Sequence, residues 1–266
     1  MKKYLVIGNP IEHSLSPKLH NYWIKMNKID AVYNKKLVNK ENLEDIIIQI
    51  KKGEIKGINV TVPYKKLVIP FLENLTPEAN ASQSVNTIYM ENNKIIGHNT
   101  DIAGFELGLR HLKYDVKDKK VFILGAGGVV PSIIICLKKM KVAKIILCNR
   151  TKKKAEDFKK IFKGLEIVDW ADIPKDTNMI INATSVGLKK DDDIKLDYEG
   201  LSPNKLYYDV IYNPSETNFL KNAKMFGNRA ENGKMMFIYQ AHQAFTIWHN
   251  VMPKIDDETI NLLKND

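Results

Sequence analysis

Val121-Phe122-Ile123-Leu124-Gly125-Ala126-Gly127-Gly128-Val129-Val130 is the stretch on which the fold turns. Four consecutive apolar residues read as a strand buried on both faces, and the apolar pattern that resumes after the glycines reads as a helix running to Met140. Strand, Gly-x-Gly-Gly turn and helix together make the geometry that a dinucleotide pyrophosphate needs. Gly125 permits the tight turn and Gly127 lets the backbone approach the phosphates. The helix N-terminus behind them offers unpaired N–H groups and the positive end of a dipole. Val130 stands where Gly-x-Gly-x-x-Gly would have its third glycine, so the helix is expected slightly farther from the strand. Pro131 falls in the first helical turn, where its missing N–H costs little. A glycine turn without any ligand accounts for the same residues, so the next strand has to decide.

That strand, Lys144 to Asn149, ends where NAD sites place a carboxylate for the ribose hydroxyls. The chain reads Cys148-Asn149-Arg150-Thr151-Lys152 instead, with no acid, and Thr151 caps a helix that opens on Lys152 to Lys154. Cations at a helix N-terminus are unfavourable unless an anion offsets them. A 2′-phosphate is such an anion, so NADP is favoured over NAD. Met179 to Asn182 and Leu206 to Val210 supply further strands. Ala183-Thr184-Ser185-Val186-Gly187 imitates a nucleophile elbow, with Asp209 and His242 following in hydrolase order. No oxyanion-hole loop accompanies it, and the competing reading is a strand-end turn near the nicotinamide.

Upstream, a second α/β series fills the first hundred residues. Lys3 to Gly8, Ala31 to Val38 and Gly57 to Val62 read as strands. Helices are expected from Ser16-Pro17 to Asn27, with Ser16 as the cap, and from Glu41 to Lys52. Val85 to Met90 and Lys94 to His98 form a hairpin through Asn92-Asn93. Asp101 to Lys113 is helical, the polar run Asp115 to Lys120 marks a break, and the last thirty residues are helical. Two α/β units joined by helices follow. Small polar groups collect at the strand ends: Ser14 and Ser16; Asn59, Thr61 and Lys65; Asn86-Thr87; and Asn99-Thr100-Asp101. One such group is a turn; four together suggest a pocket.

Composition narrows the function classes. The 266 residues are 44% hydrophobic, with no apolar run near the ~20 residues of a spanning helix. The two N-terminal lysines precede an apolar stretch too short for a signal peptide. With a mean hydropathy of -0.29, a soluble cytoplasmic protein is expected. The net charge of +10 invites a nucleic-acid reading, but only Arg110, Arg150 and Arg229 among 41 basic residues are arginine. The guanidinium forks that read phosphates and bases are nearly absent, and the lysines spread along the whole chain, so no nucleic-acid partner is expected. Cys136 and Cys148 have no metal-ligand spacing and the six histidines form no HExxH, so no metal site is expected.

From Gly8 to Trp248 the sequence strongly resembles the shikimate dehydrogenase family. The resemblance rests on GNPIEHSLSPKLHN, NVTVPYK, VNT, NTDIAG, GAGG, NRT, NATSVG, DVIYNP and QAHQAFTIW in one order. It implies a substrate-binding catalytic domain of residues 1–101, to which 234–266 return as a C-terminal helix, and a Rossmann-like NADP-binding domain of residues 102–233. It implies NADPH-dependent reduction of 3-dehydroshikimate to shikimate by a monomer or homodimer, with Lys65 and Asp101 as the catalytic pair. Ser14 and Ser16 would take the substrate carboxylate, with Tyr212 close to that side, and Thr61, Asn86 and Gln240 would hold its hydroxyls. Gly125, Ala126, Gly127 and Gly128 would cradle the cofactor, Asn149, Arg150, Thr151 and Lys154 its 2′-phosphate, and Thr184 and Gly233 would lie near the nicotinamide. Two alternatives stay open: a dual-specificity quinate/shikimate dehydrogenase and a non-catalytic NADP-binding protein. The sequence departs from the family at Ser82-Gln83-Ser84-Val85, where Gly-Ala-Val is usual, which bears on the turn before Asn86.

Overall fold

A computed structural model describes residues 1–201 and 203–263. The chain divides into two compact units, Met1–Gly104 with the described chain from Ile238 onward, and Phe105–Phe237.

The first unit is built on a mixed sheet of β1 (Lys2–Gly8), β2 (Ala31–Leu37), β3 (Gly57–Val60), β4 (Asn74–Leu75), β5 (Thr87–Glu91) and β6 (Lys94–His98). Their spatial order is β2-β1-β3-β5-β6-β4. β2, β1 and β3 run parallel, and β5 pairs antiparallel with both β3 and β6. The β5–β6 hairpin turns through Asn92 and Asn93, at φ 48° and 60°. Both are left-handed, as a two-residue turn matching strand twist requires. Helices α1 (Ser16–Met26), α2 (Leu43–Lys51) and α3 (Pro77–Ser82) complete this part. The apolar stripe Leu43, Ile46, Ile47 and Ile50 of α2 packs into one core with Ile7, Ile58, Val60, Ile88 and Ile95 of the sheet.

Several boundaries differ from the sequence reading. Leu15, not Ser16, holds the cap position of α1; Ser16 is its first residue, and the Ser14 hydroxyl accepts from the Ser16 N–H (3.4 Å). Lys40–Asn42 form a 3₁₀ turn before α2, the third strand stops at Val60, and β5 begins only at Thr87. Gln83 ends α3 at φ 48°. This is the left-handed position where the family usually has glycine, and a side chain costs about 1–2 kcal/mol there. Gln83→Gly is therefore expected to stabilise the chain by about 1 kcal/mol, because the exposed Gln83–Asn80 hydrogen bond (2.7 Å) offsets part of that strain. Denaturant unfolding checks this; a loss of stability would mean that the hydrogen bond outweighs the strain.

After α4 (Asp101–His111), inside which the division falls, the second unit carries β7 (Lys120–Leu124), β8 (Lys144–Cys148), β9 (Leu165–Ile167), β10 (Met179–Asn182), β11 (Leu206–Asp209) and β12 (Arg229–Glu231). All are parallel, in the order β12-β11-β10-β7-β8-β9. This is the doubly wound arrangement whose order reverses between β7 and β10, where ligands bind beyond the carboxyl ends. The helices are α5 (Val130–Lys139), α6 (Lys152–Ile161) and α7 (Asn218–Met225). Thr151 holds the cap position of α6, yet its side chain makes no capping bond, whereas the Thr217 hydroxyl caps α7.

The chain re-enters the first unit within α8 (Lys234–His249), followed by the short α9 (Asp257–Asn261); residues between them are not helical. Ile238, Ala241, Ala244 and Phe245 are buried, and the Trp248 indole donates to the Ile88 carbonyl (3.3 Å). Around them His20, Trp23, Tyr33 and Phe245 form an aromatic cluster. Among the described residues no helix is long and apolar enough to cross a membrane.

Candidate functional site

In the first unit the site grows from the ends of β1, β3 and β6. The Thr61 N–H donates to Ile7 O (3.0 Å), and the turn after it closes through Tyr64 N–H to Thr61 O (2.9 Å). Tyr64 is buried and donates to Val38 O (2.5 Å), which anchors the turn and leaves Lys65 at its end. Val85 N–H then donates to Lys65 O (2.8 Å), drawing the segment before Asn86 alongside. The chain leaving β1 joins the same place, because Asn9 N–H donates to Val62 O (3.0 Å).

Asp101 is the first residue of α4, where a carboxylate is favoured by the dipole. Asn99 fixes that start: its Oδ1 accepts from Ile102 N–H (3.2 Å), while its Nδ2 donates to Ser82 Oγ (3.0 Å) and Ser84 O (2.8 Å). The departure at Ser82-Gln83-Ser84 is thus absorbed, through the Ser82 hydroxyl and the Ser84 main-chain carbonyl. Lys65 Nζ meets Asp101 Oδ2 at 2.5 Å, and the two side chains are only 12% and 6% exposed. Asn86 Nδ2 donates to Asp101 Oδ1 (3.0 Å), Thr100 Oγ1 (2.8 Å) and Gln240 Oε1 (3.3 Å). A cation, a carboxylate, two amides and a hydroxyl therefore converge. Such a group can bind a polyhydroxylated molecule and exchange a proton with it. Thr100, which the sequence reading placed among the pocket's polar groups without a specific contact, belongs to this network; its backbone N–H also holds Asn86 Oδ1 (2.8 Å).

In the second unit Gly125 leaves β7 at φ 106°, and a Cβ there would lie 2.8 Å from Ala183 O and 2.9 Å from Thr184 Cγ2. The glycine turn thus lies directly against the loop after β10, at the switch point. A Cβ on exposed Gly127 would find only Ala183 O, at 3.7 Å. The fold itself leaves that side of Gly127 open, as close approach of a pyrophosphate requires. Asn149 Oδ1 accepts from Ala126 N–H (3.1 Å) and its Nδ2 donates to Thr151 O (2.8 Å), tying the glycine turn to the segment after β8. Arg150, Thr151 and Lys154 are exposed there, while Lys152 pairs with Asp169 (2.7 Å). The residues present fit a dinucleotide with a 2′-phosphate. Thr184 is fixed by Asn182, whose Oδ1 accepts from its N–H (3.0 Å) and hydroxyl (2.7 Å). Tyr212, stacked on Phe237 at 4.2 Å, and buried Gly233 both lie in this unit.

The hydrolase alternative loses its parts. The Asp209 carboxylate is taken by Thr217 Oγ1 (2.6 Å), Ile211 N–H (3.0 Å) and Asn182 Nδ2 (3.1 Å). Burial nevertheless pushes its pKa up to about 6. His242 Nε2 lies 2.9 Å from Pro253 O. Asn182 had no role in the sequence reading, since only the fold turns its amide toward Thr184. Tyr33, buried on β2, left no signal beyond that of a strand residue.

A family model described as the shikimate dehydrogenase substrate binding domain matches residues 6–88. One described as shikimate / quinate 5-dehydrogenase matches residues 106–188. The chain is 60% identical over 262 residues to shikimate dehydrogenase (NADP(+)) of Pelagibacter ubique, covering 98% of each chain. Among solved structures, shikimate dehydrogenase of Aquifex aeolicus aligns with a TM-score of 0.92 at 37% identity, covering 100% of this chain and 98% of that one. Shikimate 5-dehydrogenase of Thermus thermophilus in complex with NADP(H) and shikimate aligns at 0.89 and 27% identity, over 99% and 98%.

Proposed function

Since this chain belongs to the shikimate dehydrogenase family, we propose that its Lys65 and Asp101 carry the proton chemistry of that activity. The chain is an NADP-dependent oxidoreductase that interconverts shikimate and 3-dehydroshikimate on the way to the aromatic amino acids. The observation that carries the residue assignment is the 2.5 Å ion pair, largely withdrawn from water and bordered by Asn86 and Gln240. In reduction, Lys65 as a cation stabilises the oxyanion that develops on the substrate oxygen and gives it a proton; in oxidation the neutral amine takes that proton back. Asp101 orients the ammonium and accepts a hydrogen bond from a neighbouring substrate hydroxyl. Thr61, Asn86 and Gln240 hold the hydroxyls, and Ser14 and Ser16 take the carboxylate.

NADP, when bound, accepts the hydride of shikimate. For it, the backbone from Gly125 to Gly128 offers N–H groups to the pyrophosphate. Asn149, Arg150, Thr151 and Lys154 take the 2′-phosphate, and Thr184 and Gly233 border the nicotinamide. Residues 1–101 with 234–266 are then the substrate-binding catalytic domain and 102–233 the cofactor domain. A cytoplasmic monomer or homodimer suits the two buried free thiols, whose pKa values burial raises to about 12 at Cys136 and about 11 at Cys148.

Cofactor choice gives the test of the second half of this reading. Arg150→Ala is expected to raise KM for NADP by about 10- to 100-fold, the worth of a charge-assisted phosphate contact, and to leave KM for NAD within about twofold. Steady-state kinetics with both cofactors read this out. Equal losses with NADP and NAD would place Arg150 away from the 2′-phosphate.

A further inference from the structure

A buried chain of polar groups runs behind the Lys65–Asp101 pair, and the reaction as described uses only its last members. It begins on β2, where the Tyr33 hydroxyl donates to Asn59 Oδ1 (2.6 Å). Asn59 Nδ2 donates to Thr87 Oγ1 (3.1 Å) and to the Asn86 carbonyl (3.1 Å). Thr87 Oγ1 donates to Asn86 Oδ1 (3.2 Å), and Asn86 Nδ2 donates to Asp101 Oδ1 (3.0 Å). Asp101 Oδ2 receives Lys65 (2.5 Å). Asn59, Thr87, Asn86 and Asp101 are buried polar residues, and Tyr33 is only 1% exposed.

The direction of every bond in the chain follows from its end. An ionised carboxylate can only accept, so Asn86 must turn its NH2 to Asp101 and its oxygen to Thr87 and to the Thr100 N–H (2.8 Å). Thr87 then gives its proton to Asn86 and leaves a lone pair for the Asn59 NH2. That fixes the Asn59 oxygen toward Tyr33, whose hydroxyl supplies its proton. Aligned donors in a low-dielectric interior strengthen one another. Asn59 also holds the Asn86 main chain, so the amide that touches Asp101 is clamped from both backbone and side chain. The head of the chain is shielded as well. The Tyr33 ring stacks on the His20 imidazole at 4.2 Å and 3°, and His20 is fully buried, with neither ring nitrogen partnered. Burial lowers the His20 pKa to about 3, so a neutral ring covers Tyr33.

We propose that Tyr33 is a positioning residue: through Asn59 and Thr87 its hydroxyl holds the Asn86 amide against Asp101, and so sets the carboxylate that orients Lys65. This rests on the assignment of Lys65 and Asp101 given above. Its consequence is that one hydroxyl outside the substrate-contacting set controls turnover.

The experiment compares Tyr33→Phe, Thr87→Val, Thr87→Ser and the Tyr33→Phe/Thr87→Val double variant for kcat, both KM values and Tm, with wild type and Lys65→Ala alongside. Tyr33→Phe keeps the ring stack and removes one hydroxyl. Each of Tyr33→Phe and Thr87→Val is expected to lower kcat about 5- to 10-fold, the worth of one buried hydrogen bond, with KM for NADP within about twofold. The double variant is expected to be no slower than the worse single, because both break the same chain. Thr87→Ser, which keeps the hydroxyl, is expected to recover most of the rate. Wild-type kcat in Tyr33→Phe and Thr87→Val, with only Tm altered, would reduce the chain to a structural filling and overturn the proposal. Losses that multiply in the double variant would also overturn it. Those results, beside an active wild type and an inactive Lys65→Ala, leave the catalytic assignment standing; a fully active Lys65→Ala overturns both.

Discussion

Lys65→Ala is expected to lower kcat for shikimate oxidation by about 10²–10⁴-fold, the usual contribution of a positioned general acid or base. Binding is expected to suffer less, because the proposed substrate-holding residues Ser14, Ser16, Thr61, Asn86 and Gln240 remain. The proposed cofactor residues all lie in the other unit, so KM for NADP is expected to stay unchanged. The substitution also leaves the Asp101 carboxylate, 6% exposed, with Asn86 as its remaining side-chain partner among the bonds described here. An uncompensated buried charge destabilises by about 3–5 kcal/mol. The assay therefore runs well below the Tm of the variant, and Asp101→Asn serves as its companion: it removes the charge while keeping an oxygen for Asn86. A Lys65→Ala enzyme with wild-type kcat and a lowered Tm would make the ion pair structural.

Gly125→Ala is the second large effect. At φ 106° an L side chain is strained, and its Cβ would meet the Ala183 carbonyl oxygen at 2.8 Å, a backbone atom that cannot swing aside. Strain and overpacking together cost about 2–5 kcal/mol. Relief has to come from moving the glycine turn or the loop after β10, and both border the proposed cofactor site. Gly125→Ala is therefore expected to lose stability and at least about tenfold in NADP affinity, with shikimate binding retained. The contrast with Gly127 tests the logic, since a Cβ there meets nothing closer than 3.7 Å. Gly127→Ala is the better folded of the two. Denaturant unfolding and fluorescence titration with NADP separate these effects, and wild-type NADP affinity in Gly125→Ala would detach the turn from the cofactor.

The parts of the fold that could be read from the chain are those where local chemistry and tertiary role coincide. Val121 to Leu124 followed by glycines admits few structures, and Asn92-Asn93 between two alternating runs admits one hairpin. Short pieces escaped because no periodicity develops in them: β4 has two residues and β9 and β12 three each. Their pairing energy comes from neighbours already in the sheet. Helix α7 was missed although Thr217 caps it, because Asn218 to Met225 carries only Phe219, Leu220 and Ala223 as a buried face. The residue type of Ser16 favours a cap, whereas in the fold Leu15 holds the cap position and the Ser14 hydroxyl accepts from the Ser16 N–H.

The polar residues of the candidate site were legible at the strand ends, but the bonds that link them to Tyr33 were not. Lys65, Asp101, Asn86 and Gln240 stand in motifs, and the fold brings them within hydrogen-bonding range of one another. Tyr33 lies 26 residues from Asn59, and Asn59 lies 28 from Thr87. The register of β2 on β1, β1 on β3 and β3 on β5 sets Thr87 opposite Asn59 and Tyr33 level with Gly57, two residues from Asn59 along β3. A tyrosine in a strand carries no mark of what its hydroxyl will meet. The same holds for Asn182, whose amide turns toward Thr184 only once β10 lies between β7 and β11.

The measurement that tests the central claim most directly is the absorbance of reduced nicotinamide when the purified wild-type chain receives shikimate with NADP, with NAD, and with quinate in place of shikimate. The account predicts rapid reduction of NADP by shikimate, a much slower reaction with NAD, and little with quinate. Reduction by quinate alone, or no reduction by either substrate although NADP binds, would contradict it.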